Sequence, residues 1–369
     1  MNYKLCVPCL FGLEAIVAGE LKRMGMPNVV TENGRVEFDG DDAEIARANL
    51  WLRSGERVMI EMASFGAATF DELFEGVKAA PWERYISKDG CFPVKGHSLD
   101  SKLSSVPACQ SIIKKATVER LRAAYGVEVF EESAEKYQIK FIIHKDIARV
   151  YLDTSGAGLH KRGYRPESNT APLRETLAAA IVDLTRFRAG MELTDPFCGS
   201  GTLVIEAALK GMNAAPGMYR RFAAERWPFV SKKVWEDERE RACSMLRADK
   251  FIVYGADIDP ACIGICEENA RRAHVGALTR FKVADAVARR DYSGIVACNP
   301  PYGERMEDAA AAGRIYRDFG RCFTGFGQTN AYILSSHDDF ERQFGHTAAK
   351  KRKLYNGMIK CSLFMYFET

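Results

Sequence analysis

The sequence has few of the features that mark membrane, secreted and metal-binding proteins. Its 369 residues contain no run of the ~20 apolar residues that a membrane-spanning helix requires. The short apolar stretch at the N-terminus is interrupted by Pro8, and no small-residue cleavage site follows it. The six histidines do not cluster with the 11 cysteines, whose odd number and scattered positions argue against a disulfide framework. We therefore predict a cytoplasmic protein that binds no metal.

The charge of the chain is nearly balanced but unevenly distributed. The formal net charge is only +3, and hydrophobic and charged residues make up 47% and 27% of the chain, as in globular proteins. Residues 78–165 nevertheless contain 16 Lys and Arg against 10 Asp and Glu. This basic segment is either an electrostatic footprint for phosphates or an ordinary solvated face, and composition does not decide between the two. The length favours two or three domains.

The first part of the chain is typical of a small α+β unit. Residues 3–10 have the pattern of a strand, and residues 14–24 have the apolar period of a helix. Asn33-Gly34 is a hairpin signal inside the next apolar stretch, and Asp41 precedes a helical stretch that runs towards Trp51.

The second part of the chain indicates a doubly wound parallel sheet. Residues 173–187 form an Ala- and Leu-rich helix that is apolar almost all round, which predicts burial between two domains. After it, strand and helix patterns alternate, and a terminal hairpin is predicted around Asn356-Gly357. The predicted strands of the parallel sheet are 193–195, 252–256, 280–283, 295–298 and 332–335.

A glycine-containing turn follows the first of these strands. In the segment from Asp195 to Thr202, the glycines allow backbone N–H groups to approach a ligand at the start of a helix. The third glycine of a G-x-G-x-x-G fingerprint is replaced by Val204, and the P-loop lysine is absent, which argues against an NAD enzyme and an NTPase. A carboxylate at position 195 would repel a pyrophosphate but suits a sulfonium or ammonium group.

Acidic residues also follow the next two strands. Asp257 is placed to accept hydrogen bonds from the two hydroxyls of a ribose, while Asp259 before Pro260 reads as the N-cap of the following helix. Asp285 could accept a hydrogen bond from an adenine amino group. Three acidic strand ends suit a cationic nucleoside without phosphates, and S-adenosylmethionine fits that description.

The fourth strand is followed by Asn299, Pro300, Pro301 and Tyr302. The two prolines fix the backbone and remove two N–H donors, so that carbonyl oxygens and the Asn299 amide oxygen remain to accept hydrogen bonds from an exocyclic amino group. Tyr302 can stack on a base. A plain turn is the alternative for any Pro-Pro pair, but the three upstream motifs favour a base-binding site.

These motifs carry a specific resemblance. Asn299 to Tyr302 together with Asp195 to Thr202 resembles the amino-methyltransferases that act on adenine N6, cytosine N4 or guanine N2. Residues 95–115 resemble the core of a THUMP domain, an RNA-binding module, and residues 153–177 resemble its connection to a catalytic domain. Nearly the whole chain is similar to the bacterial THUMP-containing 23S ribosomal RNA guanine-N2 methyltransferase family, in its single-catalytic-domain form. Its members are often labelled adenine-specific DNA methylases.

The resemblance implies a fold class and four segments. The class is α/β: a Rossmann-like S-adenosylmethionine methyltransferase domain with a C-terminal antiparallel hairpin, preceded by a ferredoxin-like and THUMP α+β unit. The implied segments are a ferredoxin-like domain (1–55), a THUMP domain (56–157), a linker with a connecting helix (158–188) and the methyltransferase domain (189–369).

The resemblance also assigns residues. It implies that the cofactor S-adenosylmethionine is bound by Asp195, Phe197, Gly199, Gly201, Thr202, Asp257, Ile258, Asp285 and Ala286. It implies that the target base is held by the catalytic segment Asn299, Pro300, Pro301 and Tyr302. It implies that RNA is contacted by Lys95, Lys102, Gln110, Lys114 and Lys115. The implied partner is 23S rRNA or an assembling large ribosomal subunit.

Several alternatives stay open at this point. The same catalytic residues would serve an adenine-N6 DNA methyltransferase, although a THUMP module argues against DNA. A non-catalytic RNA-binding assembly factor is a second rival, against which the intact Asp195, Asp257 and Asn299 weigh. Residues 160–165 either contact RNA or connect the two domains, and the insertion at residues 211–241, with Trp227 and Trp235, has no assignment from sequence.

Overall fold

The structure is a computed structural model that describes residues 1–165, 173–289, 292–302, 306–323 and 328–368. The described residues form two seven-stranded sheets with helices packed on them. Within these residues, no helix is both long enough and apolar enough to cross a membrane. Residues 166–172 of the predicted linker lie outside the described part of the chain.

The first sheet is built from the N-terminal part of the chain. Its elements are β1 (Tyr3–Pro8), α1 (Glu14–Arg23), β2 (Val30–Glu32), β3 (Arg35–Gly40), α2 (Asp42–Trp51), β4 (Met59–Gly66), α3 (Phe70–Lys78), β5 (Val94–Leu99), α4 (Val106–Tyr125), β6 (Ile139–His144) and β7 (Ile147–Asp153). The strand order is β2-β3-β1-β4-β7-β6-β5, in which only the β5–β6 pair is parallel. The units predicted at 1–55 and 56–157 therefore share one continuous sheet.

Local sequence signals explain several of these elements. Gly34 has a φ of +74°, which the predicted Asn33-Gly34 turn between β2 and β3 requires. Asp41 caps α2: its carboxylate accepts from the backbone N–H of Ala43 at 2.7 Å, and Glu44 accepts from the N–H of Asp41 at 3.0 Å. The hairpin and the cap are thus both confirmed.

The second sheet belongs to the C-terminal part. The elements are α5 (Glu175–Leu184), β8 (Leu193–Asp195), α6 (Thr202–Gly211), α7 (Lys232–Ser244), β9 (Val253–Asp257), α8 (Pro260–Arg272), β10 (Thr279–Val283), β11 (Gly294–Cys298), α9 (Met306–Gly320), β12 (Thr329–Ser335), α10 (Phe340–Phe344), β13 (Lys350–Asn356) and β14 (Ile359–Tyr366). The strand order is β10-β9-β8-β11-β12-β14-β13. Strands β8 to β12 are parallel, and β13 and β14 form the antiparallel terminal hairpin. The predicted fold class is confirmed.

The two halves contribute side chains to each other's cores. Leu13 and Ile16, at the start of α1, pack in the C-terminal core with Leu177 and Ile181 of α5. This agrees with the prediction that the Ala- and Leu-rich helix is buried between two domains. The exchange makes the two halves one packed body, because each core is completed by residues of the other half.

The insertion (residues 211–241) completes the core of the first sheet. Its Phe222, Trp227 and Trp235 are buried in that core. Trp227 stacks on Tyr137 with 5.2 Å between ring centroids, and its Nε1 donates to the carbonyl of Lys136 at 3.0 Å. The part of the insertion from Phe222 to Trp235 therefore packs in the core of the first sheet, whereas Ala214 near its start is buried in the core of the parallel sheet.

The loop at residues 160–165 connects the two halves. The Arg162 side chain is 3% exposed and pairs with Glu206 on α6, with 3.4 Å between Nε and Oε1. The guanidinium also donates to the carbonyls of Leu159, at 2.7 Å, and Arg53. The Tyr164 hydroxyl donates to the same Glu206 oxygen at 3.1 Å. Of the two roles left open by the sequence, these buried side chains perform the connecting one.

The packing of Trp227 gives a stability prediction. We expect Trp227→Ala to lower the free energy of unfolding by about 3–5 kcal/mol, because it leaves a cavity against Tyr137 and removes a hydrogen bond. Urea denaturation followed by circular dichroism measures this change. Arg221→Ala is the control, since its side chain is 85% exposed, and we expect a change within about 0.5 kcal/mol. Equal effects of the two substitutions would contradict a core role for the insertion.

Candidate active site at the carboxyl edge of the parallel sheet

The strand order of the second sheet reverses between β8 and β11. These strands are neighbours, with Leu193 paired to Ile295 and Thr194 to Val296, although the chain visits β9 and β10 between them. Ligands of open parallel sheets bind at such a switch point, outside the carboxyl ends of the strands. The turn after Asp195 and the segment that begins at Asn299 therefore share one edge of the sheet.

The glycine-containing turn is held against β9 by hydrogen bonds. The N–H of Cys198 donates to the carbonyl of Ala256 at 2.9 Å, and the N–H of Gly199 donates to the Asp257 carboxylate at 2.9 Å. Gly201, the N-cap of α6, has a φ of +79°, and a Cβ there would lie 3.2 Å from the Cys266 sulfur. A Cβ at Gly199 would meet no atom within 4 Å. The turn is thus tightly packed at Gly201 and open at Gly199, where a ligand can approach the backbone.

Asp195 lies at the centre of this edge and is 2% exposed. One of its carboxylate oxygens accepts from the N–H of Phe197 at 3.0 Å. Burial raises the pKa of Asp195 to about 8, and the negative charge of Asp257 adds to the rise. A cationic ligand beside Asp195 would favour its ionised form. A sulfonium or ammonium group therefore fits this position.

The ends of β9 and β10 present groups that fit a nucleoside. The Asp257 carboxylate is oriented by the N–H groups of Gly199 and, at 3.0 Å, Asp259. The side chain of Ile258 is 68% exposed, an apolar surface on which a flat base can pack. Asp285 is exposed and Ala286 is buried beside it. Both line a cavity of about 350 Å³ whose lining does not include Asp257 or Ile258. The residues present thus fit S-adenosylmethionine.

Thr202 and Asp259 have partners inside the protein. The Thr202 hydroxyl is 3.1 Å from Arg165 Nη1, which donates to it, and Thr202 is 4% exposed. Asp259 accepts from the N–H of Ala261 at 2.9 Å, which confirms that it caps α8. A contact of Thr202 with the cofactor stays a prediction. Its side chain supports the start of α6.

The segment from Asn299 to Tyr302 follows β11 directly, and we call it the Asn299 turn. The Tyr302 hydroxyl donates to the amide oxygen of Asn299, and the Tyr316 hydroxyl donates to the carbonyl of Pro301 at 2.7 Å. Pro300 is buried, whereas Asn299 and Tyr302 are half-buried. Burial, with the nearby Cys361 thiol, raises the pKa of Tyr302, so its hydroxyl remains a donor. The amide oxygen of Asn299 is thus oriented and keeps one lone pair for another donor.

Sequence reasoning missed the groups that support this turn. Tyr316 lies on α9 and Cys361 on β14, and the Cys361 thiol lies 3.6 Å from the Tyr302 hydroxyl. Neither residue belongs to a motif, since both reach the site only through tertiary folding. Cys198 and Cys298, which flank the site in sequence, are 5% and 0% exposed. They are small buried residues, as the sequence suggested.

The candidate RNA-binding residues differ in burial and in partners. The Lys114 ammonium pairs with Glu132 at 2.5 Å and lies 3.5 Å from the centre of the Phe92 ring. Lys102 and Lys115 are exposed and Gln110 is half-buried. Lys95, also exposed, lies in a separate cleft with residues outside the predicted set. RNA contacts of these five residues stay predictions. Among the described residues, no group of three His, Cys, Asp or Glu could hold a metal ion.

The doubly wound sheet and the acidic strand ends define a class, the S-adenosylmethionine-dependent methyltransferases. The comparison with protein families agrees and is more specific. A model described as "RMKL-like, methyltransferase domain" matches residues 162–364. Models of the RlmL ferredoxin-like domain and of the THUMP domain match residues 4–59 and 67–153. The chain belongs to the RMKL-like methyltransferase family, in the arrangement with a THUMP domain, and its cofactor is S-adenosylmethionine.

Individual proteins are similar over nearly the whole chain. The "Putative RNA methyltransferase YpsC" of Bacillus subtilis is 43% identical over 99% of this chain and 96% of its own length. The ribosomal RNA large subunit methyltransferase K/L of Psychromonas ingrahamii is 33% identical over 98% of this chain, which spans 49% of that protein. The crystal structure of SMU.472 complexed with SAH is 38% identical, has a TM-score of 0.93, and is matched over 100% of this chain and 98% of its own.

The raised pKa of Asp195 gives a prediction for cofactor binding. With a pKa of about 8, the carboxyl is mostly protonated at pH 7, so a cationic ligand must displace the proton to pair with the carboxylate. We expect the affinity for S-adenosylmethionine to fall by up to about tenfold per pH unit between pH 8 and pH 6. Calorimetry in buffers of different ionisation enthalpy should show release of about one proton at pH 7. A pH-independent affinity, equal to that of Asp195→Asn, would contradict this role.

Proposed function

We propose that the protein transfers the methyl group of S-adenosylmethionine to an exocyclic amino group of an RNA base, guanine N2 of 23S rRNA. The observation that carries this proposal is the position of Asn299 to Tyr302 beside the Asp195 turn, across the switch point of the sheet. The THUMP domain and the names of the relatives, which include a ribosomal RNA large subunit methyltransferase, support RNA as the substrate.

The Asn299 turn offers hydrogen-bond acceptors in a fixed geometry. The Asn299 amide oxygen and the neighbouring backbone carbonyls accept from the two N–H groups of the target amine. Such an amine is a poor nucleophile, because its lone pair is delocalised into the ring of the base. Holding both N–H groups directs the nitrogen towards the methyl group and stabilises the positive charge that develops on it. S-Adenosylmethionine supplies that methyl group on a sulfonium centre.

The target base must leave its stack to reach this half-buried turn. The Tyr302 ring, packed against the core below and partly exposed above, offers a stacking surface that any base can use. Because stacking does not distinguish bases, the choice of guanine rests on the family and not on Tyr302. The proton on the methylated nitrogen can leave to solvent after transfer, so the reaction requires no general base.

Asn299→Ala tests the acceptor role. We expect the rate of methyl transfer to fall by about 10²–10³-fold, because one preorganised acceptor is lost, while the affinity for S-adenosylmethionine stays nearly unchanged. Single-turnover assays and calorimetry measure the two quantities. Asn330→Ala, an exposed asparagine on β12, is the control. An equal loss of both quantities would show that Asn299 serves the structure of the pocket.

Tyr302→Phe tests the orientation of Asn299. The substitution removes only the hydroxyl that donates to the Asn299 amide oxygen and keeps the ring for stacking. We expect kcat to fall by about 5- to 10-fold with little change in the KM for RNA, as the loss of one hydrogen bond predicts. A larger KM with an unchanged kcat would instead point to a role in binding the base.

The base and the nucleic acid are identified by labelling. The full-length protein is incubated with tritiated S-adenosylmethionine and, separately, protein-free 23S rRNA, 16S rRNA or unmethylated double-stranded DNA, and the products are separated as nucleosides. We expect label in N2-methylguanosine from 23S rRNA. Label in N6-methyladenine from DNA would overturn the proposed substrate while keeping the catalytic role of the Asn299 turn.

A further inference from the structure

A second concave site lies outside the active site, between the first sheet and the insertion. It is a cleft of about 900 Å³, and eight basic but only three acidic residues line it. One side carries Lys95, Lys136 and Lys140, near β5 and β6, and the other carries Lys232 at the start of α7. We call this site the lysine cleft. Its two sides come from the two halves of the chain.

The acidic residues of the lysine cleft do not neutralise these lysines. Asp153 pairs with Arg57 at 2.5 Å, and Glu225 pairs with Arg239 at 2.6 Å. For the four lysines, no carboxylate lies within 4.0 Å among the described residues. The third acidic residue, Glu236, is exposed. With eight basic residues against three acidic ones, the cleft keeps an excess of positive charge.

Two of the lysines lie side by side on paired strands. Lys95 of β5 is directly opposite Lys140 of β6 in the parallel register, and like charges in that position are destabilising. Burial, with the nearby charges of Arg57, Lys95 and Lys136, lowers the pKa of Lys140. An anion between the two ammonium groups would relieve the repulsion.

We propose that the lysine cleft binds the sugar-phosphate backbone of the substrate RNA, with Lys95, Lys140 and Lys232 contacting phosphates. This inference rests on the proposed function for its ligand, and it assigns the insertion a part in substrate binding. A site for bases would need an exposed ring. The aromatic residues in the described lining, Phe222 and Trp235, are 3% and 2% exposed and stack on each other.

The position of the lysine cleft gives the contact a consequence. Lys232 belongs to a segment that extends from the methyltransferase half. This segment packs in the core of the first sheet through Trp235. RNA bound by Lys95 and Lys232 together would contact both halves at once. Because the cores of the two halves are interleaved, a strand held in the cleft would have a fixed position relative to the Asn299 turn.

The test compares two neighbouring lysines. Lys232 and Lys233 are both exposed at the start of α7, but only Lys232 lines the cleft. The full-length protein, Lys232→Gln, the Lys95→Gln/Lys140→Gln double variant and the control Lys233→Gln are titrated with radiolabelled, protein-free 23S rRNA by filter binding, between about 50 and 200 mM salt. Melting temperature and calorimetric binding of SAH establish that each variant is folded.

We expect Lys232→Gln to lower the slope of log Kd against log salt by about 1, and the double variant to lower it by about 2. The Kd at 0.1 M salt should rise about 8-fold per lost contact, as a slope of about 0.9 per phosphate implies. Lys233→Gln should match the wild type. The double variant should also melt at a higher temperature than the wild type without RNA, because the repulsion between the strands is gone.

The outcomes separate the two proposals. If the cleft variants have unchanged salt slopes and the wild-type protein methylates RNA, RNA binding by the lysine cleft is overturned and the proposed function stands. Equal effects of Lys232→Gln and Lys233→Gln would also overturn it, since they would indicate a general charge effect. Altered slopes in a protein that methylates DNA but no RNA would support a phosphate-binding cleft and overturn the proposed substrate.

Discussion

The relative position of the two halves depends on the buried charge of Arg162. Its guanidinium donates to three backbone carbonyls on the side of the first sheet and pairs with Glu206 on the side of the second. A buried cation without such partners would cost several kcal/mol, so the halves cannot separate or rotate without exposing or orphaning it. Glu206 lies on α6, the helix that begins directly after the glycine-containing turn. The same interaction therefore positions the active site relative to the first sheet.

The interleaved cores also hold the two halves in a fixed relative position. The insertion leaves the methyltransferase half and buries Trp227 and Trp235 under the first sheet, while Leu13 and Ile16 of α1 pack in the other core. An enzyme that binds structured RNA at one place and modifies a base at another needs a fixed distance between the two. A rigid connection provides this without the cost of ordering the two halves relative to each other when RNA binds. The lysine cleft and the Asn299 turn are the two places that this connection would link.

Much of the fold and of the cofactor edge could be predicted because the signals are local. Asn33-Gly34 and Asp41 act on their own neighbours, and the apolar periods gave the parallel strands within a few residues. The insertion could not be assigned, because Trp227 meets its partner Tyr137 from 90 positions away. The ion pair between Lys114 and Glu132 illustrates the same limit, because the two residues are 18 positions apart and belong to no common motif.

The sequence by itself determined the chemistry at each strand end: carboxylates at Asp195 and Asp257, and a proline-stiffened acceptor at Asn299. These follow from side-chain type and from backbone limits that glycine and proline impose on adjacent residues. Only the tertiary structure decided that Arg162 connects the halves and that Lys95 and Lys140 stand opposite each other, with no carboxylate of the described residues within 4.0 Å of either ammonium. Burial and pairing of charges depend on residues distant in sequence, which the fold alone brings together.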